Sequence, residues 1–275
     1  MIPNEITDNL QYIELFTRKK IRNVFVGNYT SALKGHGYDF VDHTKYQPGD
    51  DIRRIDWNAT ARANHVLIKN THEEKDLDIF IVADLSKSMD LGTQARSKKE
   101  LLVYITAAIA YSALSSGMRI GFIGFTNELE MDIEAKNGRP HLWTILNALW
   151  DHQPRQRRTA VHPALEVLRQ RLTRMSIVFL ISDFFFEDNL FQDVGFKYII
   201  SRHDLIPVLL YDPLESNLPA GRGYIRVRDL ETGKQDWIRL STKNRFTYQQ
   251  FQRDRHRELL SRFYEFNLDF QEIQT

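Results

Sequence analysis

The 275-residue chain contains no cysteine. That absence excludes disulfide frameworks, thiolate zinc sites, iron–sulfur clusters and cysteine nucleophiles. Neither sign of charge is in excess: 37 Lys and Arg stand against 36 Asp and Glu, a formal net charge of +1. A dedicated nucleic-acid binder usually carries a strong basic excess, so no specific nucleic-acid partner is expected. There is no apolar run of the roughly 18–20 residues needed to cross a bilayer, and the first twenty residues lack the apolar stretch of a signal peptide. No membrane span and a cytoplasmic location are therefore expected. Hydrophobic residues make up 42% and aromatics 12%, enough for a sizeable core, which argues against disorder.

Catalytic signatures are missing too. The sequence holds no Walker-type phosphate loop, no complete G-x-G-x-x-G, no G-x-S-x-G and no H-E-x-x-H. Nine histidines are scattered without metal-ligand spacing and read as surface or capping residues. The protein is not expected to be an enzyme.

Three textures divide the chain. Residues 1–75 open with helical spacing at Ile6, Leu10, Ile13, Phe16 and Thr17. A charge-dense, β-rich subdomain follows, with a turn at Pro48-Gly49-Asp50 and a short strand over 66–69. From 76 to 212, near-continuous apolar runs (LDIFIVADL, RIGFIGF, MSIVFLIS) alternate with segments of helical spacing. Strands buried on both faces alternating with helices imply a doubly wound, mostly parallel α/β sheet. Residues 213–275 read as a C-terminal extension packing on that domain: a hairpin over 224–228 and 236–240, then a helix with Phe251, Leu259, Phe263 and Phe266 on one side.

Asp84-Leu85-Ser86-Lys87-Ser88 directly follows the first buried run. Ligands of doubly wound sheets gather beyond the carboxyl ends of strands, and in an extended segment residues i, i+2 and i+4 project to one side. Asp84, Ser86 and Ser88 are thus expected to converge. Thr159, before the helix near Pro163, and Asp183, after MSIVFLIS, occupy equivalent edges. Two carboxylates and three hydroxyls form a hard oxygen set suited to Mg²⁺ or Mn²⁺. Capping by Asp84 or Ser86 and a turn role for Asp183 are the alternatives.

DLSKSM, Thr159 and ISDF resemble the metal-ion-dependent adhesion site of von Willebrand factor A domains. The resemblance implies that Asp84, Ser86 and Ser88 ligate the ion directly, Thr159 in some states, and Asp183 through water. An acidic side chain of a protein ligand would fill the open position. Arg157-Arg158 precede Thr159 where that family often has glycine. Upstream, YQPGDDIRRIDWNATAR resembles the signature of the bacterial domain of unknown function 58 family, and DPLESNLPAGRGYIRVRDLETG resembles its continuation. That resemblance implies an adaptor or chaperone-like role with a MoxR-type AAA+ ATPase. Many members carry transmembrane helices ahead of this region, so a soluble version is expected. Within the motif, Asp50, Asp51, Arg53, Arg54, Asp56 and Trp57 read either as a partly buried salt-bridge network with Trp57 as its apolar anchor or as a partner-docking surface. Arginines at 155–158 and at 245, 253, 255, 257 and 262 read as solvated faces, or less simply as a site for an acidic partner or nucleic acid. The leading expectation is a Mg²⁺-dependent protein-binding module. A metal-dependent phosphohydrolase and a structural module with a degenerate metal site are the competing ones.

Overall fold

The structure, a computed structural model, describes residues 7–8, 34–63, 65–72, 77–92, 96–156, 158–228 and 235–275. The helix expected over 6–17 lies outside them except at Thr7 and Asp8, which are helical. The chain divides into two compact units, the smaller spanning Phe16–Asp76 and the larger comprising Met1–Leu15 and Leu77–Thr275.

In the smaller unit, β1 (Lys34–Lys45) and β2 (Leu67–His72) form an antiparallel pair. Between them, a 3₁₀ turn over Ile52–Arg54 leads into α1 (Trp57–Ala63). The GDDIRRIDW acids serve this local chain path. Asp50 accepts from Gln47 N (2.8 Å), and Asp51 caps the 3₁₀ turn through Arg53 N (2.9 Å). Asp56 caps α1 through Ala59 N (3.0 Å) and bonds His43 Nε2 (2.9 Å). These carboxylates are satisfied by backbone N–H groups and a histidine rather than by Arg53. Trp57 is 69% exposed, so it is not the buried anchor expected of it.

The larger unit is a six-stranded sheet in the order β10-β7-β6-β3-β4-β5. Its strands are β3 (Asp78–Asp84), β4 (Arg119–Phe125), β5 (Leu129–Lys136), β6 (Ser176–Ser182), β7 (Asp204–Tyr211) and β10 (Gln271–Gln274). All neighbours are parallel except β4 and β5. Only three residues separate β4 from β5, and Thr126 N bonds Glu128 O across them. A link that short can only join antiparallel strands. The doubly wound, mostly parallel α/β architecture is the one the apolar runs predict.

Alternation along the strands feeds two cores. On one face α2 (Lys98–Ser115) packs on β3 and β4 and against α3 (Arg139–Asp151). On the other, Phe80, Val82, Val178, Leu180, Leu205 and Leu209 meet α4 (His162–Arg171), α5 (Val194–Arg202) and α7 (Thr242–Glu265). A short helix α6 (Pro213–Ser216) and the β8–β9 hairpin (Gly223–Arg228, Gln235–Leu240) stand between β7 and α7. The segment read as an extension thus supplies the last helix and edge strand of the same sheet. Phe263 of α7 is fully buried, and Leu259 and Phe266 pack on that core. Phe251 is 63% exposed: twelve residues from Phe263, it is turned about 120° around the helix at 100° per residue, off the apolar stripe.

Candidate functional site

β3 is central, with β4 on one side and β6 on the other, so the chain order reverses there. In open α/β sheets the crevice at such a switch point is where ligands bind. All seven residues of β3 are buried, and Asp84, its last, has no exposed surface.

Asp84 Oδ1 accepts from Ser86 N (2.8 Å) and Oδ2 from Ser182 Oγ (2.7 Å). The Ser86 and Ser88 hydroxyl oxygens are 3.0 Å apart and buried. Their convergence arises differently from the expected extended alternation. Ser86 is the N-cap of a 3₁₀ turn over Lys87–Asp90, and its hydroxyl makes no capping bond but faces Ser88 instead. Asp183, at the end of β6, is likewise buried. Its Oδ1 accepts from Phe185 N (3.2 Å) and its Oδ2 from Lys98 Nζ (3.0 Å). Asp84, Ser86, Ser88 and Asp183 therefore lie at one pair of adjacent strand ends.

Thr159 is fully buried in the loop before α4. Its carbonyl accepts from Glu187 N (2.9 Å), and the next residue's N–H bonds Thr126 O (3.1 Å). Those bonds tie it to the loops after β6 and β4, at the same edge of the sheet.

Lys98 and Glu215 escaped the sequence reading. Lys98 has no exposed surface and also bonds Glu215 Oε1 (2.5 Å) on α6. Burial alone would lower its pKa, but the charges of Asp183 and Glu215 outweigh this and hold it above the usual lysine value. Burial pushes Glu215 up, with Lys98 opposing. Lys98 opens α2, where the helix dipole disfavours a cation, and the two carboxylates offset this. Arg255 was read as part of a solvated face. Instead its Nη2 bonds the carbonyls of Asp183 and Phe184, both at 3.3 Å, and burial lowers its pKa to about 10. Phe184 itself is held at φ 56°, a strained conformation for a bulky residue. A cavity of about 750 Å³ opens beside Asp183, bordered by Arg255, Phe185, Leu209 and Tyr211.

Electrostatically the cluster favours a cation. Burial, and then the charge of Asp183, raise Asp84 to about 7. No described lysine, arginine or histidine pairs with Asp84, whereas Asp78 at the other end of β3 binds Arg119 through two nitrogens (2.7 and 2.6 Å). Among the described residues no group of three or more His, Asp or Glu side chains could hold a metal. The donor set is of another kind, two carboxylates with serine hydroxyls. Its geometry fits a small octahedral ion, because oxygens at about 2.1 Å from Mg²⁺ sit about 3 Å apart along an octahedral edge. The Ser86–Ser88 separation is of that size, the two hydroxyls being hydrogen-bonded to each other. Asp183, engaged by Lys98 and Phe185, fits contact through water.

Among solved structures, the chain is similar to the conserved hypothetical protein BatB from Bacteroides thetaiotaomicron, at 13% identity and TM-score 0.47 over 72% of this chain and 91% of that one. It is also similar to the SpRpn10 VWA domain, at 11% identity and TM-score 0.40 over 49% and 75%. Uncharacterized proteins of Mycobacterium bovis and Mycobacterium tuberculosis are each 30% identical over 226 residues, 82% of this chain and 70% of theirs. The family model described as "Protein of unknown function DUF58" matches residues 42–258, and the chain belongs to that family.

Proposed function

We propose that the chain is a non-enzymatic protein-binding module whose site at the ends of β3 and β6 holds Mg²⁺ or Mn²⁺. Asp84, Ser86 and Ser88 would bind the ion directly, and Thr159 and Asp183 would support it. The bound ion would supply a Lewis-acidic position for a carboxylate of a protein ligand. The observation that carries this reading is the buried, cation-free Asp84 beside two serine oxygens at octahedral spacing. The chain's own residues hold the oxygens in place: Ser182 and the Ser86 N–H orient Asp84, and Lys98 fixes Asp183. A binding role is favoured over hydrolysis because Asp183 is committed to an ammonium, Asp84 is assigned to the ion, and no described histidine belongs to the cluster.

The family resemblance adds a MoxR-type AAA+ ATPase as working partner in assembling or activating other complexes, with the cytoplasm as setting. The motif Asp50, Asp51, Arg53, Arg54, Asp56 and Trp57 is retained as a docking surface, supported by the exposure of Ile52 and Trp57. Calorimetric titration with Mg²⁺ and Mn²⁺ tests the site: wild type should bind and Asp84→Ala should not. Equal binding by the two would overturn the assignment. Capture of the ATPase by wild type in Mg²⁺, lost in chelator and in Asp84→Ala, tests the partnership.

A further inference from the structure

The β8–β9 hairpin presents a face that the metal-centred reading leaves unused. Its register sets Tyr224 opposite Arg239 and Arg226 opposite Trp237. Side chains alternate along a strand, and opposed residues share a side, so these four stand on one face, each aromatic residue opposite an arginine in the register. All four are exposed, Tyr224 at 66% and Trp237 at 65%. On the reverse face Ile225, Val227 and Ile238 are half-buried and Leu240 is buried. The hairpin is thus a clean two-faced ribbon whose outer face leaves two large rings in water. Neither the Arg226 nor the Arg239 guanidinium has an ion-pair or hydrogen-bond partner among the described residues. No described acidic side chain stands on that face, since Asp236 alternates to the other side with Ile238.

We propose that this face docks an acidic segment of a protein partner, with its carboxylates on Arg226 and Arg239 and its aliphatic stems on Tyr224 and Trp237. Charge complementarity selects the occupant: two guanidiniums with no carboxylate on them among the described residues call for carboxylates in fork geometry. Composition selects a protein, because Trp, Tyr and Arg are the residues enriched at the energetic centres of protein interfaces. Single-stranded nucleic acid requires a basic groove that follows the backbone, and a two-by-two face on a chain of net charge +1 does not provide one. The inference rests on the reading of the chain as a protein-binding module, but it does not need the metal.

The test uses the full chain in chelator with a fluorescein-labelled, glutamate-rich peptide read by anisotropy. Arg226→Glu/Arg239→Glu should weaken binding about tenfold or more, and Tyr224→Ala/Trp237→Ala severalfold. Both pairs point into solvent, and circular dichroism checks that the variants remain folded. Asp84→Ala should bind the peptide as wild type does. The proposal is overturned if wild type fails to bind, if both hairpin variants bind like wild type, if oligo-dT or anionic vesicles outcompete the peptide, or if binding requires Mg²⁺. The last result would move the acidic ligand to the metal centre, whereas failure of the metal titration alone would leave the hairpin result standing.

Discussion

Two aspartates bracket β3 in contrasting surroundings. Asp78 has a bidentate arginine, while Asp84 has only neutral donors and a second carboxylate nearby. With its folded-state value raised to about 7, Asp84 keeps a proton that the unfolded chain releases near pH 4. Between those values the folded state binds more protons, so its contribution to stability falls as pH rises from about 4 to 7 and is flat above. Denaturant unfolding in chelator should show the stability of wild type relative to Asp84→Asn dropping by about 1–3 kcal/mol between pH 5 and pH 8. A rise over that interval would mean that the carboxylate is stabilised and that its surroundings are misread. Lys98 makes the reverse case. Lys98→Met leaves the buried Asp183 and the half-buried Glu215 without their cation and should cost about 3 kcal/mol. Adding Glu215→Gln should restore part of that loss in urea melts. Asp84, Ser86, Ser88 and Asp183 were legible because each follows an apolar run that ends at a sheet edge. Lys98 was not, because a lysine beside Lys99 and Glu100 looks like any polar helix start, and its anions lie 85 and 117 residues away.

At the level of elements, legibility followed burial. β3, β4 and β6 are covered on both faces and announce themselves as continuous apolar runs. β10 reads Gln-Glu-Ile-Gln, with three of its four residues exposed. It is a strand because β7 offers it a parallel edge, a tertiary cause that no local pattern carries. The 3₁₀ turn after β3 was equally hidden, since D-x-S-x-S is compatible with extended and turning chain alike. The glycines of β4 show how closely the sheet's middle is fitted to the site. A Cβ on Gly124 would lie 2.4 Å from Leu85 Cδ1, and Leu85 is the residue between Asp84 and Ser86. Gly124→Ala must therefore displace Leu85, at about 1–3 kcal/mol for overpacking, and should lower Mg²⁺ affinity severalfold. Unfolding and calorimetry on the same variant separate these effects. A stability loss with unchanged affinity would show that Leu85 repacks without moving its neighbours.

For the whole molecule, the question is how far the fold would depend on the proposed ion. Helices cover both faces of the six-stranded sheet, and the core holds fully buried Phe122, Phe125, Phe196 and Phe263, so its stability comes mainly from apolar burial. This differs from small metal domains, in which binding free energy is folding free energy. Chelation should accordingly leave the far-ultraviolet circular dichroism unchanged. On the proposed function, an ion held by Asp84, Ser86 and Ser88 would bind only their folded arrangement and would therefore stabilise by mass action. At fifty times the dissociation constant this amounts to about 2 kcal/mol, or about 4–8 °C in melting temperature for a chain of this size. Asp84→Ala should melt at one temperature with and without Mg²⁺, and the Tyr224→Ala/Trp237→Ala hairpin variant should keep the full wild-type shift. An undiminished shift in Asp84→Ala would place the responsible ion elsewhere on the molecule, and loss of secondary structure in chelator would make the metal part of the core.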